Sequence, residues 1–115
     1  MEKSTVKDKS FKFAIEIVHL YKLLKEQNEY VLSKQLLRSG TSIGANIQEA
    51  QQAQSRPDFI HKMSIALKEA QETEYWLLLF KESDLVTFDF NHYLFLVNEL
   101  IKMLTAIIKT TKANS

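Results

Sequence analysis

Four patterns in the 115-residue chain could do chemistry. The first is Glu16-Ile17-Val18-His19, the Glu-x-x-His spacing with which helical bundles hold paired iron ions. Asp58-Phe59-Ile60-His61 and Asp89-Phe90-Asn91-His92 share the spacing. A two-metal site needs two such pairs at one level of a bundle. His61 and His92 sit at the starts of helices running in opposite directions and His19 lies mid-helix, so the three pairs read as core-edge or solvated histidines. The second pattern is Arg56-Pro57-Asp58-Phe59-Ile60-His61, an Arg-x4-His spacing found in helical ribonucleases. Pro57 fixes a helix start there, which leaves Arg56 in solvent. Such a short pattern arises often by chance. Phosphate loops, nucleophile elbows and Cys/His metal spacings are missing from the sequence, so neither an enzyme nor a cofactor is expected.

The third pattern is the polar stripe Arg38, Ser42, Asn46, Glu49 on one predicted helix. If that helix turns back at Ser55-Arg56, positions whose numbers sum to about 111 lie level, at equal rise per residue. Arg38 then meets Thr73, flanked by Glu72 and Glu74, with Glu69 a turn away. Glu49 meets Lys62. A guanidinium among small residues should be shielded from water, where it requires carboxylates and matches them with its planar fork. The stripe reads as an ion-pair network that fixes register, in preference to a ligand site.

The fourth pattern is charge. The net charge is only +1. Folded as a bundle, one end collects Lys3, Lys7, Lys9, Lys12, Arg56, Lys62, Lys68, Lys109 and Lys112 against Glu2, Asp8, Glu49 and Asp58, a surplus of five positive charges. The other end has six bases and ten acids. Copies arranged side by side would merge the basic ends into one patch able to meet nucleic acid. The same lysines also suit plain solubility.

The elements that position these residues are helices. Glycine and proline number two and one, and there is no cysteine. Apolar periodicity predicts helices over about 9–27, 30–54, 57–83 and 88–111. Asp8 or Ser10 should cap the first, Ser55 the third, and Thr87 or Asp89 the fourth. The first helix shows an apolar stripe, Phe11, Ala14, Ile15, Val18 and Tyr21, widened by Ile17, Leu20 and Leu24. Phe59, Met63, Ala66, Ala70, Thr73, Leu77 and Phe80 form a seam on the third. Phe90, Tyr93, Val97, Leu100, Leu104 and Ile107 form one on the fourth. Ser39 to Gly44 is rich in small residues. It is expected to continue the second helix, since small residues let backbones approach. Four similar helices with short links predict one all-α domain over residues 1–115, an antiparallel up-down-up-down bundle. Absence of cysteine, of a leader and of a membrane-length apolar run suggests a cytoplasmic protein without a membrane partner.

Glu74 to Phe80 is apolar around nearly the whole helix. With Leu77 and Phe80 in the seam, Trp76 and Leu79 face elsewhere, which predicts an interface with further copies of the chain.

Leu37-Arg38-Ser39, Ser42-Ile43, Ala45-Asn46-Ile47 and Glu49 resemble the second-helix pattern of the 23S rRNA intervening-sequence proteins of bacteria. Asp58-Phe59, Ala66, Glu69 and Glu72 to Leu77 resemble their third helix. The resemblance implies a closed four-helix bundle assembled as a homo-oligomer, often of five protomers, with no assigned activity. It also implies kinship with the accessory protein of diversity-generating retroelements, which binds nucleic acid and a reverse transcriptase. That relative is strongly basic, so for this chain a nucleic-acid or nucleic-acid-enzyme partner rests on the distribution of charge and not on its sum.

Overall fold

Each helix of this chain starts where a side chain can take up its free N–H groups, and the starts differ from expectation at three of four places. The computed structural model describes residues 5–114. Helix α1 spans Val6–Glu26. Its cap is Thr5, whose hydroxyl accepts the Asp8 N–H at 3.1 Å, not Asp8 or Ser10. Ser10 is buried instead and donates to the Lys7 carbonyl.

Helix α2 spans Leu32–Ala50, shorter than expected at both ends. Asn28 takes the left-handed conformation, φ 62°, that lets the chain leave α1 without a glycine. The next residue, Glu29, is buried, and its carboxylate accepts the N–H groups of Val31, Leu32 and Ser33 at 3.2, 3.0 and 2.7 Å. An anion is favoured there because the first turn of a helix leaves its N–H groups unpaired. At the other end Gln51 to Ala53 form a short turn in place of a last helical turn.

Helix α3, Arg56–Ser83, starts as expected: Ser55 accepts the Asp58 N–H at 3.1 Å and Pro57 occupies the first turn. It stops at Asp84, φ 54°. Helix α4 spans Asn91–Ala113. It begins later than expected because Phe88 and Phe90 are inserted into the core end. Phe90 stacks on Phe80 at 5.3 Å between ring centroids and meets Phe88 edge-on at 5.1 Å. Asp89 accepts the Asn91 N–H at 2.9 Å, whereas Thr87 exchanges two backbone hydrogen bonds with the Gln27 amide.

The helices pack in sequence order, α1 on α2, α2 on α3 and α3 on α4, and α4 closes more loosely on α1. Small residues govern the α1–α2 contact. A methyl group on Gly40 would lie 2.9 Å from Ile17 Cγ2, and one on Gly44 would lie 3.3 Å from the Ser10 carbonyl oxygen. The helix runs unbroken through Ser39 to Gly44, as the small residues suggest. The core holds Phe13, Ile17, Leu20, Leu24, Leu36, Ile43, Ile47, Met63, Ala66, Ala70, Leu77, Phe80, Val97, Leu100 and Leu104.

The α3 seam is buried from Met63 to Phe80, and Phe59 is half-buried. On α4 the buried positions are Leu94 and Ile108, in place of Tyr93 and Ile107. The α1 expectation needs correction. Phe11 is 67% exposed and Ile15 and Val18 are each 42% exposed, so the row taken as the stripe's centre points outward, while Ile17, Leu20 and Leu24, named as widening it, are buried. The inward face is Val6, Ser10, Phe13, Ile17, Leu20 and Leu24.

Candidate functional site: a polar cluster and an outward apolar face

The α2–α3 contact carries the most polar chemistry. Arg38 reaches Glu69 at 3.1 Å and also pairs with Glu72. Glu72 accepts the Trp76 indole N–H at 3.0 Å. Trp76 lies against the core and meets Tyr75 edge-on. The hydrogen bond from Trp76, followed by the contact with Arg38, holds the Glu72 carboxyl below the usual carboxylate range despite some desolvation. Glu72 and Glu69 in turn raise the Arg38 guanidinium, the hydrogen bond to Glu72 being the largest cause.

The Arg38 side chain is 48% exposed. It is therefore a surface group bridging two helices, and the expectation of a water-excluded guanidinium is corrected. The side chain is long enough to reach past the small residues beneath it, so their size says little about its burial. The same interface holds a pair that the stripe did not include. The buried hydroxyls of Ser39 and Thr73 meet at 2.9 Å.

The rest of the stripe separates. Ser42 donates to the Arg38 carbonyl at 2.6 Å and Asn46 to the Ser42 carbonyl at 2.8 Å, both within α2. Glu49 pairs with Lys62 at 3.0 Å, at the far end of the helix. Glu74 is half-buried and makes no ion pair among the described residues.

The histidine patterns also separate. His92 lies 2.8 Å from Glu16, so one member of each of two patterns meets across α1 and α4. Beside them, burial and then the Glu16 charge raise the Tyr93 hydroxyl. Among the described residues no group of three or more His, Cys, Asp or Glu side chains is placed to hold a metal ion. Arg56 is exposed, as expected from the proline after it. It donates to the Asn114 carbonyl at the end of α4, while His61 is exposed further along α3.

Of the basic end, Lys9 pairs with Glu99 at 3.0 Å and Lys62 with Glu49. Lys7, Lys12, Lys68, Lys109 and Lys112 are exposed and make no ion pair among the described residues. Lys3 lies outside the described residues. Exposed apolar side chains are not confined to Glu74 to Phe80. Trp76 and Leu79 are half-buried, and the exposed members of that stretch are Tyr75 and Leu78. Phe11, Ile15 and Val18 on α1 and Phe95 on α4 add to them.

The model of the family described as 23S rRNA-intervening sequence protein matches residues 2–106. The chain belongs to that family. A solved structure from Bacteroides thetaiotaomicron, a protein with unknown function from the S23 ribosomal protein family, shares 58% sequence identity. It superposes with a TM-score of 0.87 and covers 91% of this chain and 99% of its own. Among curated proteins nothing matches. Neither family nor neighbour carries an enzymatic description. Among the described residues no helix is long and apolar enough to cross a membrane.

Proposed function

We propose that this intervening-sequence protein is a non-enzymatic homo-oligomer that docks nucleic acid, or an enzyme acting on nucleic acid, on its basic end. The observation that carries the reading is the gathering of Lys7, Lys12, Lys109 and Lys112, exposed and without ion pairs among the described residues, around one end of the bundle. One copy offers few charges. Several copies side by side offer a continuous surface, and phosphate affinity rises with the number of contacts. Support for assembly comes from the exposed Phe11, Phe95, Tyr75 and Leu78, which exceed what an isolated small bundle needs on its surface. Trp76 and Leu79, half-buried beside Tyr75 and Leu78 on α3, take a part in the proposed assembly.

The test is fluorescence anisotropy with labelled single-stranded and duplex RNA and DNA across a salt series. Binding should weaken steeply with salt and vanish in the quadruple Lys7, Lys12, Lys109, Lys112→Glu variant. Equal binding by wild type and variant, or none at low salt, contradicts nucleic-acid docking. A second reading, a module that only binds protein, is favoured by the apolar face and takes precedence if no nucleic acid binds.

A further inference from the structure

Between α1 and α2 an open groove of about 540 Å³ runs along the outside of the bundle. Phe11 and Ala14 wall it from α1, and Thr41, Gly44 and Ala45 from α2. On α4, the helix diagonal to α2, Phe95 is 68% exposed. We propose that the α1–α2 groove receives Phe95 of a second copy of this chain, a heterologous contact between two different faces. This rests on the homo-oligomeric reading above and adds which surfaces meet.

Three observations argue for a second copy as the occupant. The first is level. Lys9–Glu99 and Glu16–His92 both pair positions whose numbers sum to 108, so Phe95 is level with residue 13 of α1. That level lies between Phe11 and Ala14, within the groove. Copies with parallel axes therefore bring ring and groove together without an axial shift.

The second is position. The helices pack around a square, so α4 lies diagonally across from α2 and its exposed Phe95 is outside the α1–α2 face. A knob on one face and its socket on the other is the arrangement that propagates from copy to copy and closes into a ring.

The third is charge. Glu74, on α3, has no ion pair within the protomer among the described residues. Glu49–Lys62 sets the α2–α3 register and the Gly40–Ile17 contact sets the α1–α2 register. Together they put Glu74 within a turn of the level of Lys22, an exposed residue on the outward side of α1. Parallel copies place the carboxylate opposite the ammonium. They also keep every basic end on one side of the assembly.

Two exposed substitutions test the contact on the full chain, each checked for an unchanged helical melt. Phe95→Lys removes the knob and Ala45→Arg blocks the socket. In light scattering each variant alone should fall to the protomer mass. Mixed in equal amounts they should form a one-to-one dimer, because one intact knob still meets one intact socket. Glu74→Lys should loosen wild-type assembly about tenfold, and Lys22→Glu on top of it should restore it. A wild-type oligomer whose mass survives both single variants, or variants that do not pair when mixed, overturns this contact and leaves homo-oligomerisation standing. Wild-type protein at protomer mass overturns both.

Discussion

Arg38 shows how far a single residue can be placed by arithmetic. Numbers summing to about 111 put it near Glu72, and the two do pair. What spacing does not encode is exposure, and exposure sets the magnitude. A buried guanidinium stripped of its partners would cost the fold about 3–5 kcal/mol. At 48% exposure solvent screens the pair, and Arg38→Ala should cost only about 0–1 kcal/mol in a denaturant titration.

Glu72 carries a pH signature. Its folded pKa lies below the ordinary carboxylate value, so its contribution is full above that value and fades as pH falls through the lowered one. The melting-temperature gap between wild type and Glu72→Gln should be open near neutral pH and should narrow as pH falls below the ordinary carboxylate range. A gap that widens in acid would reverse the assignment. Glu29 was hidden from sequence reasoning because glutamate is an unusual cap. An acid directly before a helix start was the available signal. Glu29→Ala strands three N–H groups and should destabilise by about 0.5–2 kcal/mol, more than Arg38→Ala, in the same titration.

At the scale of the helix, α3 and α1 differ in how much they disclose. The α3 seam alternates three and four without a rival, and it is buried as read. Helix α1 has two apolar rows, one through Phe11, Ile15 and Val18 and one through Phe13, Ile17 and Leu20. Periodicity ranks them equally. The choice is made by α2: Gly40 and Gly44 admit Ile17 and Ser10 at close range, and only the second row presents them. A buried serine at position 10 has no apolar signal, yet it marks the inward face.

Two measurements follow at this scale. Gly40→Ala pushes a methyl against a β-branched side chain that has little room to turn, and should cost about 1–3 kcal/mol in thermal unfolding. Gly44→Ala, with a looser 3.3 Å contact, should cost less. Phe13→Ser should unfold the bundle at far lower denaturant than Phe11→Ser. An equal effect would restore the outward stripe to the core.

For the whole molecule, the four-helix order, the single bundle and the segregation of charge follow from periodicity, short connections and counting. The loop plugged by Phe88 and Phe90 does not, because an extended segment with two aromatic anchors reads the same as a helix start. The family relationship, matched over residues 2–106, fits the helix order and leaves the task of the protein to chemistry. That chemistry is a bundle with a settled core and exposed apolar side chains on α1, α3 and α4. In the proposed function, copies of the 13.4 kDa chain cover these side chains on one another, and the basic end gains phosphate affinity through that assembly.

Light scattering on the purified wild-type chain at about 10–100 μM, the range in which weak assemblies are populated, is therefore the most direct measurement. A mass that is a fixed multiple of 13.4 kDa across that range is the predicted result. A mass of 13.4 kDa throughout, with Phe11 and Phe95 still open to solvent, would contradict it.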